Sequence, residues 1–143
     1  MIGEICTKPV VTVSPKVSVQ EAARLMRRKN VGALVVVSST RPQGILTDRD
    51  IATAVVAQGQ DPMTTTVGEV MRRDPTVIRE DKGILDAVKL FDAKGVRRLP
   101  VVSKSGKLIG IVAMDDLLML LGQEMGHVAS ALSRELRRPR LAA

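Results

Sequence analysis

At 143 residues with 45% apolar side chains, the chain is long enough to bury a core and too apolar to be disordered. One Phe and no Trp or Tyr make that core aliphatic and argue against the aromatic platforms that hold single-stranded nucleic acid. The net charge of +7, from 22 Lys and Arg against 15 Asp and Glu, favours anionic partners: nucleotide phosphates, nucleic acid or an acidic protein face.

The first residues, Met1-Ile2-Gly3-Glu4, lack the basic start and apolar run of a signal peptide. The longest apolar stretch, Leu117 to Leu121, is far short of the roughly 20 residues a membrane helix needs. A cytoplasmic protein without membrane contact is expected. The single cysteine, Cys6, cannot form an internal disulfide, and its neighbours Ile5 and Val10 predict a small buried side chain rather than a reactive thiol.

A short strand is predicted over Val10 to Val13. Ser18 stands three residues before Glu21, a capping box that starts a helix, and Val19, Ala22, Ala23 and Met26 fall on one face of it. The basic run Arg24 to Lys29 belongs to its solvated side, and Asn30 stops it. Ala33 to Val37 is too short for a helix and rich in Val, hence a buried strand. Arg41-Pro42-Gln43-Gly44 turns the chain into Ile45 and Leu46, and a second helix follows. Gln58 to Thr66, with Gly59, Asp61-Pro62 and three threonines, reads as a loop.

The second half restates the first. Val19 to Met26 aligns with Ile84 to Phe91, and Val31 to Ser38 with Val96 to Ser103, both at an offset of 65 residues. One extra residue in the next loop brings Gly44 to Ile51 onto Gly110 to Leu117. Gly95 takes the helix-stop position of Asn30, and Ser103-Lys104-Ser105-Gly106 repeats the turn. The expected organisation is α/β: one copy over residues 1–66, another over 67–121, and a helix with a basic tail over 122–143. Neither copy could bury its sheet alone, so the two are expected to pack sheet to sheet about a pseudo-twofold axis. Any cleft along that axis then comes in two versions.

The sharpest constellation is Gly44-Ile45-Leu46-Thr47-Asp48-Arg49-Asp50, at a strand end and helix start. A hydroxyl and a carboxylate three residues apart can accept from the two vicinal hydroxyls of a ribose. The helix N-terminus beside them, with free backbone N–H groups, favours phosphate, and Arg49 adds a forked cation. The same Thr-x-x-Asp pair also makes a helix cap, with Thr47 closing the helix and Asp50 complementing its dipole. The second copy keeps Asp116 but has Ala113 where the hydroxyl would be, and Asp115 can cap there instead.

After Asp116 the pattern stays helical to about Leu136. Leu118, Leu121, Met125, Val128, Leu132 and Leu136 form one stripe, and Gly122, Gly126 and Ser130 recur on another face. A glycine inside a helix costs about 1 kcal/mol against alanine, so two of them point to close helix packing, read here as a homodimer contact, the alternative being a helix folded back over its own domain. Arg137-Arg138-Pro139-Arg140 reads as a solvated end, and the lone His127 as a helix-surface residue.

No Cys/His metal spacing, nucleophile–base pair or Walker-type glycine loop is present, so neither catalytic nor metal-binding residues are expected and no cofactor is required.

The chain resembles tandem CBS-domain proteins, named for the regulatory domains of cystathionine β-synthase. The resemblance is carried by Val31 to Val37 and Val96 to Val102, with Arg97-Arg98-Leu99-Pro100-Val101-Val102 most typical, and by Gly44 to Ile51 with its copy Gly110 to Leu117. It covers about Glu4 to Leu120. The resemblance implies two β-α-β-β-α units, a flat dimer and an adenosine-containing regulatory ligand such as AMP, ADP, ATP, S-adenosylmethionine or NAD. For the first cleft it implies ribose contacts from Thr47 and Asp50 and adenine against Thr76, Val77 and Ile78, with Ile45, Arg49, Gly32 and Ala33 around them. The residue after the opening valine of the central strand faces phosphate in this family: Gly32 in the first copy, Arg97 in the second, with Arg98 beside it. Gly32 supplies no cation, which leaves Arg49 or Arg97 to reach across to the first cleft. The mirror cleft, expected to be weaker because Ala113 stands where the hydroxyl would be, would use Val11, Thr12, Arg97, Arg98, Ile111, Ala113 and Asp116. The expected function is a nucleotide sensor that signals to a protein effector by conformational shift. The alternative is a dimeric interaction module with vestigial clefts. Nucleic-acid binding is not expected.

Overall fold

The helix from Val19 to Lys29 begins where Ser18 Oγ accepts from the Glu21 amide at 3.2 Å, and it ends where Asn30 turns left-handed at φ 53°. The geometry is that of a computed structural model describing residues 1–137; of the basic tail, Arg138, Pro139 and Arg140 lie outside the described residues.

In chain order the elements are α1 (Ile2–Ile5), β1 (Thr12–Val13), α2 (Val19–Lys29), β2 (Ala33–Ser38), β3 (Arg41–Thr47) and α3 (Asp48–Asp50). The chain continues in π-helical turns over Ile51–Val56, then α4 (Val67–Val70), β4 (Arg72–Arg73), β5 (Ile78–Arg79) and α5 (Ile84–Lys94). It closes with β6 (Arg98–Val102), β7 (Leu108–Ala113) and α6 (Met114–Arg137). The two copies pair their strands alike: β1 lies parallel to β2 and β2 antiparallel to β3, while β5 lies parallel to β6 and β6 antiparallel to β7. Both hairpins shift register at the equivalent place, Val36/Val37 and Val101/Val102.

Each sheet covers its helices with alternate side chains. Leu34, Val36 and Leu46 join Ala22 and Met26 in one core; Leu99, Val101 and Val112 join Ala87 and Phe91 in the other. Val35 and its counterpart Pro100 point to the opposite faces and are fully buried as well. A sheet buried on both faces needs a second layer, and here each sheet supplies it for the other. The hairpin tips meet too, where Leu108 N donates to Thr40 O at 2.9 Å.

The units exchange their leading segments, a feature the linear repeat does not announce. Ile2 of α1 is buried in the second unit's core, and Val67 of α4 in the first unit's. β4 adds a fourth strand to the first sheet, with Ile45 opposite Arg72, while Thr7 bridges to Ile111 on the second. Gly44 and Gly110 make room for these crossings. A Cβ on Gly44 would stand 2.6 Å from the Arg72 carbonyl, and one on Gly110 would run into the Cys6 sulfur. Cys6 is therefore half-buried at a crossing, its Sγ 3.6 Å from the Gly3 carbonyl.

Candidate functional site

β3 ends at Thr47, whose extended backbone hands over to α3. Thr47 Oγ1 accepts from the Asp50 amide at 3.1 Å, and Asp50 Oδ2 accepts from the Thr47 amide at 3.0 Å. The pair is a reciprocal cap, the helix-start reading of Thr-x-x-Asp. The neighbouring amides are occupied as well: Arg49 N donates to Asp48 Oδ1 at 2.8 Å and Asp48 N to the Gly32 carbonyl at 3.0 Å. The expectation of free helix amides for a phosphate is thus corrected, because Thr47, Asp48 and Gly32 already satisfy the first three.

Asp50 is only 7% exposed, and its second oxygen, Oδ1, accepts from Arg72 Nε at 3.1 Å. Arg72 reaches it from β4, which lies on β3 only because the leading segments are exchanged. The guanidinium itself is largely exposed.

Thr47 and Arg72 open onto a cavity of about 650 Å³ between the two units. Five arginines line it: Arg49, Arg72, Arg73, Arg97 and Arg98. Against them stand Asp74 in the lining and the paired Asp50 behind it. Arg97 reaches Asp115 at 3.3 Å, with both side chains 71% exposed, a contact that solvent screens. Arg49 and Arg98 have no carboxylate within 4 Å among the described residues. The cavity therefore carries a concentrated positive field over an apolar floor that includes Ile45 and Val96.

Of the residues expected at the first cleft, Ile45, Thr47, Arg49 and Thr76 line this cavity, and Asp50 stands behind it. Val77 is off the lining and exposed, and Ile78 is 2% exposed within the second unit's core, facing away from the cavity. Gly32 and Ala33 are also off the lining. Arg97 and Arg98, assigned from the sequence to the mirror cleft, line the first one instead. The reason is the crossing of the units: the start of β6 faces the β3–α3 junction of the other copy. At the mirror position Ile111 is half-buried and tied by its backbone to Thr7, at 2.9 and 3.1 Å. Val11 and Ala113 are half-buried, and Thr12 and Asp116 are exposed. Thr7, the counterpart of Arg72, brings no charge there. Sequence reasoning missed Arg72, Arg73 and Asp74. Their signal was the Arg-Arg-Asp run at the head of the second copy, opposite Thr7-Lys8-Pro9 in the first.

Among the described residues no helix is long and apolar enough to cross a membrane, and no group of three or more His, Cys, Asp or Glu could hold a metal ion.

Comparison with known proteins places these features in a family. The model of the CBS domain matches twice, over residues 2–57 and 67–123. The CBS domain-containing protein YhcV of Bacillus subtilis is 43% identical over 116 residues, 81% of this chain and 81% of that protein. A protein of Methanopyrus kandleri is 40% identical over 120 residues; the match covers 83% of this chain and 61% of that longer protein. Among solved structures, the CBS domain pair of protein MJ0100, in complex with 5′-methylthioadenosine and S-adenosyl-L-methionine, superposes with a TM-score of 0.78 at 28% identity. That superposition covers 87% of this chain and 97% of the other. With both halves matched and the exchanged two-sheet architecture in place, the chain belongs to the CBS-domain family as a tandem pair.

Proposed function

We propose that this CBS pair is a regulatory module, not an enzyme, and that it binds a phosphorylated adenosine nucleotide in the arginine-lined cavity. One observation carries the reading: five guanidinium groups converge beside a hydroxyl–carboxylate pair. Thr47 and Asp50 take the ribose. The lining on the Pro75 and Thr76 side takes the adenine, and the arginines take the phosphates, Arg as a forked donor being suited to them. The sulfonium of S-adenosylmethionine is cationic and meets the wrong field, which favours AMP, ADP, ATP or NAD over the ligand held by MJ0100.

Without nucleotide, Arg72 holds Asp50 Oδ1, an acceptor that the ribose hydroxyls need. Binding exchanges this contact: Asp50 turns to the ribose and Arg72 to a phosphate. Because β4 belongs by sequence to one copy and by pairing to the other, the exchange bears on the junction of the units. A signal follows only if nucleotide prefers one arrangement of that junction.

The test is thermal unfolding with AMP, ADP, ATP, NAD, S-adenosylmethionine and GTP, on the wild type and Asp50→Asn. A ligand at 100 times its Kd adds about 2.7 kcal/mol. The expected result is a raised midpoint with one or more adenosine phosphates, none with S-adenosylmethionine, and loss of the shift in Asp50→Asn. No shift at millimolar nucleotide would sink the reading and favour a module that works through protein contacts alone.

A further inference from the structure

The π-helical turns over Ile51–Val56 follow directly on Asp50, and turns of this kind are frequent at functional sites. They form one wall of a second pocket, about 590 Å³ in volume, completed by the linker after Gln58 and by helix α4. It shares no lining residue with the arginine cavity. Nor does the second copy repeat its polar groups. Continuing the alignment of Gly44–Ile51 with Gly110–Leu117, Thr53, Ala54 and Gln58 meet Met119, Leu120 and Glu124 of the regular helix α6. Core packing, which the two copies share, therefore does not account for them.

The walls are held from behind. Val55 and Val67 are fully buried, Thr65 N donates to the Asp61 carbonyl at 2.9 Å, and Thr65 O accepts from Val19 N at 2.8 Å. Among the described residues only Asp50 and Thr65 are both polar and buried. Asp50 is bonded through both oxygens, whereas the Thr65 hydroxyl, on a residue only 6% exposed, has no hydrogen-bond partner among the described residues. Every wholly buried side-chain oxygen or nitrogen there does have a partner, so the Thr65 hydroxyl is not sealed in; the space it meets is the pocket it lines. A hydroxyl so placed calls for a partner from outside the chain.

The neighbouring groups select that partner. Thr53 Oγ1 donates its hydrogen to the Arg49 carbonyl at 2.9 Å and has only lone pairs left to offer. Glu69 Oε2 accepts from Thr66 N at 3.3 Å, and Oε1 is left over among the described residues. The amides of Gln58 and Gln60 complete the polar lining, and no Lys, Arg or His joins it. Ala54 and Val70, both half-buried, supply a short apolar strip. Acceptors, one of them negative, beside apolar surface suit a cation that only donates and is carried on a hydrocarbon stem. An ammonium has three donors and no acceptor. We propose that this pocket binds a small aliphatic primary amine, its ammonium held by Glu69, Thr53 and Thr65 and its methylenes lying on Ala54 and Val70.

Calorimetric titration of the full chain with 1,4-diaminobutane, in about 0.15 M salt, should show saturable binding of one equivalent. The net charge of +7 repels an amine from the general surface, so a saturable signal reports a local site. 1,4-Butanediol, equal in length and uncharged, should not bind at the same concentrations. Glu69→Gln keeps an acceptor for the Thr66 amide and should weaken the amine about tenfold; Thr65→Val keeps the shape and should weaken it about threefold. Neither should lower the unfolding midpoint measured without amine. Asp50→Asn should leave amine binding unchanged, which separates this site from the nucleotide reading. No saturable binding at millimolar amine, equal binding of the diol, or full affinity in Glu69→Gln would overturn the proposal. So would loss of amine binding in Asp50→Asn, which would move the amine to the other cavity.

Discussion

The two clefts of this pair rest on matched strand pairings and differ in most of the groups that could do chemistry. At the first, Thr47 and Asp50 stand under five arginines; at the second, Ala113 replaces the hydroxyl, Asp116 is exposed, and Thr7 takes the place of Arg72. Arg97 and Arg98 line the first cleft, and their counterparts Gly32 and Ala33 bring no charge. Apolar positions of the two copies stay matched because both cores must be filled; cleft positions carry no such constraint. Duplication therefore preserves packing and lets one site specialise.

That contrast can be tested at four depths. The deepest cut is into what the copies share. Leu34→Ala and Leu99→Ala, both at fully buried equivalent positions, should each cost about 2–5 kcal/mol in urea denaturation. Each should shift one common transition, because each core contains a segment of the other copy; two separate transitions would mean that the exchange does not couple the units. The next cut is at the carboxylates. Asp50→Asn should weaken nucleotide binding by roughly 10- to 100-fold, the scale of hydrogen bonds to a charged group, while Asp116→Asn changes nothing in calorimetric titration. Equal losses would make the clefts equivalent.

A smaller effect is expected from the cations. Arg97→Ala with Arg98→Ala should lower the affinity for ATP about tenfold and that for adenosine little, and should flatten the dependence of ATP binding on salt. Smallest is the repair of the second cleft. Ala113→Thr restores one hydroxyl, and a single hydrogen bond is worth about 0.5–1.5 kcal/mol. A second equivalent of nucleotide in titration would make that hydroxyl the missing part; an unchanged stoichiometry would place the deficit in the absent arginines.

What the sequence made legible was local or repeated. Ser18, Asn30 and Gly95 act on neighbours within four residues, and the Val-rich runs announce strands buried on both faces. The α/β architecture with two packed units followed from the repeat, and the hydroxyl–carboxylate pair at the β3–α3 junction from the local spacing of Thr47 and Asp50. The π-helical turns over Ile51–Val56 had no such marker. Nor did the site's remaining groups, because they depend on contacts between distant segments. Arg72 meets Asp50 across 22 residues, and only once β4 has crossed to the other unit's sheet. Arg97 and Arg98 changed clefts for the same reason. The helix amides are taken instead by Thr47, Asp48 and the Gly32 carbonyl, the last of these from another strand's approach and without a sequence marker.

The exchange of leading segments also sets an order of events during synthesis. The first unit is complete once α4 and β4 have been made, a short way past its own last helix, so its core can close early. Ile2 must wait for β7 and the start of α6 before its pocket exists. Helix α1 is thus among the last parts to find its place, and a ribosome stalled in the second copy would hold a folded first unit with α1 still unplaced.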